Sequence, residues 1–79
     1  MSITYVQHRR MVRNLKRRKV GDRQYEIVRR DTDAVVALAG QGGEGSWDVM
    51  PTDGGWLPPQ ESLTACIEAV AGHVIKTTT

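Results

Sequence analysis

Seventy-nine residues and a formal net charge of +2 leave room for one domain, since a second core would need roughly another 50 residues. That excludes the large barrel and dinucleotide-binding scaffolds, which need roughly 150 to 250 residues, and points to a protein that is not an enzyme. With 39% hydrophobic and 25% charged residues the chain should fold, but without Phe its core must come from Val, Ile, Leu and Ala around two Trp and two Tyr.

The charge is unevenly distributed. Residues 1 to 30 hold ten of the eleven Lys and Arg and only Asp22 and Glu26, a balance of +8, whereas residues 31 to 79 hold Lys76 and seven acids, a balance of −6. Such asymmetry points to an anionic partner, or to a basic half that folds back on the acidic half of its own chain or of a second copy. One cysteine, Cys66, precludes an internal disulfide, and neither His8 nor His73 has ligands at metal-site spacing, so no metal or other cofactor is expected. No apolar run approaches the roughly 20 residues of a spanning helix and no secretory signal pattern is present, so no membrane role is expected and the expected location is the cytoplasm.

In chain order, residues 5 to 19 read as an amphipathic basic helix. Tyr5, His8, Met11, Val12 and Leu15 share one arc, and Arg9, Arg10, Arg13, Lys16 and Arg17 share the next. Ser2 or Thr4 would cap it, and Gly21 would stop it; the competing reading makes Ile3 to Val6 a short strand. From Gln24 the period becomes two, with Tyr25 and Ile27 on one side and Glu26 and Val28 on the other, up to a polar turn at Arg30 to Asp33. Ala34 to Ala39 reads as a continuous central strand, and Ser46 to Met50 as a third strand ending at Pro51. Trp56-Leu57 is either a brief further strand or an anchor beneath a loop. After Pro58-Pro59, with Pro59 as first helical residue or Ser62 as N-cap, Leu63, Ile67, Val70 and Val74 mark one stripe of a last helix.

The expected fold is therefore α+β: an N-terminal basic helix, a three-stranded antiparallel meander and a C-terminal helix packed on one sheet face, burying Ile27, Val36, Leu38, Trp47 and Val49. The expected organisation is a basic segment over 1–22, a β-β-β-α domain over 23–76 and a disordered tail over 77–79.

Gly40, Gly42 and Gly45 match G-x-G-x-x-G, but a strand rather than a helix follows them, so they read as a hairpin loop instead of a dinucleotide cradle. Cys66 lies on the apolar stripe and reads as a small hydrophobe. Trp47 and Trp56 read as core anchors, with Trp56 a protein-binding hot spot if it lies on the surface. The strongest functional signal is the basic helix. Arginine forks suit phosphates, so Arg9, Arg10, Arg13, Lys16 and Arg17 are the candidate nucleic-acid contacts, to DNA in preference to RNA. Gln7 and Asn14 are the only amides there that could read adenine. The alternative is a protein-interaction module that binds or inhibits a host protein through its sheet face or Trp56, with room for a homodimer.

Tyr25-Glu26-Ile27-Val28, Ser46-Trp47-Asp48-Val49, Asp53-Gly54-Gly55 and Ser62-Leu63 with Ala65 and Ala69 resemble the strand-strand-strand-helix proteins encoded by actinobacterial phages and prophages. That resemblance implies a small phage accessory protein in the host bacterial cytoplasm and transfers no functional residue.

Overall fold

A computed structural model describes residues 4–78. The elements are α1 (Tyr5–Asn14), β1 (Leu15–Gly21), β2 (Gln24–Arg29), β3 (Val35–Gln41), β4 (Trp47–Pro51) and α2 (Leu63–Thr78). The fold is α+β as expected, but the antiparallel sheet has four strands, in the order β1-β2-β3-β4.

The extra strand is the main correction to the sequence reading. The expected helix over 5 to 19 ends at Asn14, because Leu15 is already extended (φ −101°, ψ 143°) and the chain continues as β1. Electrostatics explains the change. A helix through Lys19 would stack Arg13 beside Lys16 and Arg17, adding like-charge pairs three and four residues apart, each mildly destabilising. A strand sends alternate side chains to opposite faces, and Arg18 finds Glu26 directly across the ladder. Gly21 and Asp22 are thus part of a hairpin, turned by Arg23 in the left-handed region (φ 59°). Thr4 supplies the start of α1, accepting from the Gln7 N–H while the Gln7 side chain accepts from Thr4 N, a complete capping box. Tyr5 and Val6 are helical, and the alternatives resting on Ser2 and Ile3 lie outside the described residues, as does the Thr79 end of the expected tail.

Residues directly opposite in a ladder share a face. One side of the sheet therefore carries the rows Arg17–Ile27–Ala37–Pro51 and Lys19–Tyr25–Ala39–Val49. This side meets α2, and the core joins Leu15, Ile27, Ala37, Ala39 and Val49 to Leu63, Cys66, Val70, Ala71 and Val74. Ala37 and Ala39 have short side chains, which lets α2 approach the middle of the sheet. Ser62 caps α2 through Oγ, which accepts from Ala65 N at 3.0 Å. Helix α1 leans mainly on α2, with Met11 and Val12 packed against the core and the His8 ring 2.9 Å from the Glu68 carbonyl.

The opposite side carries the row Arg18–Glu26–Leu38–Met50 and has no helix on it. Leu38, expected in the core, is instead 46% exposed there. The unbroken apolar run of β3 concealed its alternation. Trp47 tilts against Tyr25 (centroids 5.8 Å apart, 58° between planes), both half-buried at the core margin. Trp56, read as a core anchor, is 78% exposed; Leu57 beside it packs on the core, while Gln60, rather than Trp56-Leu57, pairs with the β4 edge at Trp47.

Candidate nucleic-acid interface

The inner arc of α1 is occupied by His8, Met11 and Val12, so helical geometry turns Arg9, Arg10 and Arg13 outward, with Val6 among them. Arg9 and Arg13 stand one turn apart, which places their Cβ atoms about 6 Å from each other. A shallow hollow on this surface is lined by Tyr5, Val6, Arg9, Arg10 and Arg13.

Among the described residues, three of the Lys and Arg side chains have a carboxylate within 4 Å: Lys16 reaches Asp33 at 3.8 Å, Arg18 reaches Glu26 at 2.6 Å and Arg29 reaches Asp31 at 3.0 Å. Arg9, Arg10, Arg13 and Arg17 form no ion pair among the described residues. The fold-back of the basic half onto the acidic half of the same molecule therefore leaves α1 unneutralised.

The five candidate cations are not kept together as one stripe. Arg9, Arg10 and Arg13 form the helical group, with Arg10 and Arg13 exposed and Arg9 half-buried. Lys16 and Arg17 belong to β1, with Lys16 on the open side beside Asp33 and Arg17 in the Ile27 row of the other side. The residue missed in the sequence is Arg30. Its Nε donates to the Arg13 carbonyl at 3.1 Å and its backbone N–H to the Asn14 carbonyl at 2.7 Å, so a fourth guanidinium caps the end of α1. The only sequence signal was the adjacent Arg29-Arg30 pair. Arg29 turns to Asp31, donating from Nε and Nη2 at 3.1 and 3.0 Å; this contact, helped by Asn14, holds the Asp31 carboxyl below the usual carboxylate range.

Both candidate adenine-reading amides are engaged locally. Gln7 Oε1 serves the capping box, and Asn14 Oδ1 accepts from Asp31 N at 3.2 Å. What remains on the outer arc is a set of guanidinium donors, suited to phosphate oxygens rather than base edges.

The other sequence candidates resolve as follows. Residues 42 to 46, which include two glycines of the G-x-G-x-x-G match, close the β3–β4 hairpin, with Gly42 N–H donating to the Ser46 carbonyl at 2.9 Å. Cys66 is fully buried, and burial pushes its thiol up to about 11. His73 on α2 meets Asp53, 20 residues earlier, with Nε2 at 2.8 and 3.0 Å from the two carboxylate oxygens. No group of three or more His, Cys, Asp or Glu that could hold a metal occurs among the described residues, and no helix there is long and apolar enough to cross a membrane.

The Asp53–His73 contact clasps the loop that carries Trp56. Gly55 N–H donates to Asp53 Oδ1 at 2.8 Å, and this bond, followed by His73, lowers the Asp53 carboxyl from its ordinary value. A group lowered in the folded state contributes its stabilisation above the unfolded value of about 3.9 and loses it as pH falls through the folded value. The loop should therefore loosen under acid, read as a change in Trp fluorescence below about pH 4 that is absent in Asp53→Asn. Gly55 is held to its size by the same clasp: a Cβ there would overlap His73 Cε1 and lie 2.8 Å from Nε2. Gly55→Ala should displace His73 from Asp53 and change Trp fluorescence at neutral pH; unchanged fluorescence would contradict the clasp.

No known family model, curated protein or solved structure matches the chain.

Proposed function

We propose that this chain is a small non-enzymatic accessory protein that binds nucleic acid, DNA in preference to RNA, gripping phosphates with Arg9, Arg10 and Arg13 of α1 and with Arg30 at the end of that helix. The observation that carries this reading is a group of arginines, exposed at Arg10 and Arg13 and half-buried at Arg9, that have no carboxylate partner among the described residues. Lys16 and Arg17 add positive potential nearby without belonging to the helical group.

The DNA preference follows from shape. A helix about 10 to 12 Å across fits the B-form major groove, about 12 Å wide, whereas the A-form major groove of duplex RNA is deep and narrow. Engagement of Gln7 and Asn14 in local hydrogen bonds favours backbone binding with little sequence preference. With about four phosphates neutralised, log K should fall against log salt with a slope near −3.6. Fluorescence anisotropy with two duplexes of unrelated sequence tests this: similar binding at low salt with that slope is expected, and no binding to DNA or RNA at about 50 mM salt would end the proposal. Such a role fits the resemblance to small phage accessory proteins.

A second reading, interaction with a protein, is favoured by a separate observation, the exposed Leu38 and Met50 on the side of the sheet away from α2, together with the exposed Trp56.

A further inference from the structure

Of the aromatic residues, Tyr25 and Trp47 pack together at the core margin, and Trp56 stands on the loop that the Asp53–His73 contact clasps. Tyr5 is placed differently. It is 77% exposed at the start of α1, and Val6 beside it is 57% exposed. Both line the hollow that Arg9, Arg10 and Arg13 also line. An exposed tyrosine by itself is ordinary on a protein surface. One that shares a hollow with three guanidinium groups supplies a stacking face next to donors for phosphate, the pairing used to hold a nucleotide by its base and its backbone together.

A base offers its face to a side chain only where it is unpaired, because inside a duplex its neighbours cover both faces. Building on the arginine reading above, we propose that α1 binds the junction between duplex and single-stranded DNA. Arg13 and Arg30 hold duplex phosphates, Arg9 and Arg10 hold the phosphates at the junction, and the ring of Tyr5 stacks on the first unpaired base.

The layout along the helix fits this substrate. Tyr5, Arg9 and Arg13 follow one another at intervals of one turn, so the ring and two guanidinium groups form a row with Cβ atoms about 6 Å apart. Arg30 is bonded to the Arg13 carbonyl at the other end of the row, about 12 Å along the axis from Tyr5, or three to four base steps. Charge favours the strand at the Tyr5 end as well. The sequence has no acid before Asp22, and the first turn of α1 has none to offset the positive end of its macrodipole.

Fluorescence anisotropy with DNAs of equal phosphate number tests the proposal: a blunt duplex, a shorter duplex with a single-stranded thymine overhang, and the same overhang with abasic sites in place of the thymines. The wild-type chain should bind the thymine overhang about tenfold more tightly than either of the others. Tyr5→Ala should bind all of them alike, at the wild-type affinity for blunt DNA, with an unchanged salt slope because no charge is removed. Tyr5→Phe should keep the preference, since stacking uses the ring. Alanine suits an exposed helical position, so circular dichroism should be unaltered in Tyr5→Ala. Equal binding of blunt, overhang and abasic DNA by the wild-type chain overturns the inference and leaves the arginine reading standing. Binding to none of them ends the arginine reading itself. A preference that survives in Tyr5→Ala, or an equal loss of blunt and overhang binding in that variant, also overturns the inference.

Discussion

Replacing Arg9, Arg10 and Arg13 together with glutamine is expected to weaken DNA binding by about two to three orders of magnitude at about 0.1 M salt and to flatten the salt dependence by nearly three units of slope. Each phosphate contact contributes about 0.9 to that slope, which at this salt amounts to nearly tenfold in affinity per contact. The fold should not suffer. None of the three has a carboxylate partner among the described residues, and glutamine and arginine have similar helix propensities. Arg9 and Arg13 are a like-charge pair one turn apart, so their removal should leave thermal stability equal or a few tenths of a kcal/mol higher. Arg18→Gln is the contrasting control, because its guanidinium already serves Glu26; its effect on DNA affinity should be small. Loss of binding with no loss of stability marks a surface kept for a partner. A triple variant that binds DNA as the wild type does would show that contact lies elsewhere.

The second large effect concerns the two sides of the sheet. Ile27 is fully buried beneath α2, and Ile27→Ala should cost about 2 to 5 kcal/mol from lost burial and the cavity left behind. A core this small rarely supplies more than about 3 to 5 kcal/mol, so the variant should be largely unfolded at room temperature. Leu38→Ala, one strand away and on the open side, should cost less than about 1 kcal/mol when measured at low micromolar protein. Urea unfolding followed by circular dichroism separates the two. Equal losses would mean that Leu38 faces the core and that the assignment of the sides is wrong.

The Leu38 position illustrates how far the sequence could be read. The elements β2, β3, β4 and α2 were legible from periodicity, with Ser62 and the stripe Leu63, Ile67, Val70 and Val74 fixing the last helix. The facing of β3 was not, because Ala34 to Ala39 is apolar on both sides. The deciding factor is volume: the alanines meet α2, and the larger leucine points away from it. The first strand was hidden for a different reason. Lys16 to Lys19 have no apolar period, and Gly21-Asp22 serves equally as a helix stop or a hairpin start. Like-charge spacing between Arg13 and the following cations was the available signal that the helix should end early. At the candidate interface, Arg9, Arg10 and Arg13 were found from the helical wheel, whereas Arg30 enters only through the hairpin that returns β2 to the end of α1. The Asp53–His73 clasp joins residues too far apart in sequence for local patterns to suggest it.

The most direct test of the central claim, that the unpaired arginines of α1 are a polyanion-binding surface, is to follow the backbone amide resonances as a short DNA duplex is added. Shifts should concentrate at residues 5 to 14 and at Arg30, and reverse as salt is raised. Shifts centred on Leu38, Asp48, Met50 and Trp56, or none at low salt, would contradict the claim.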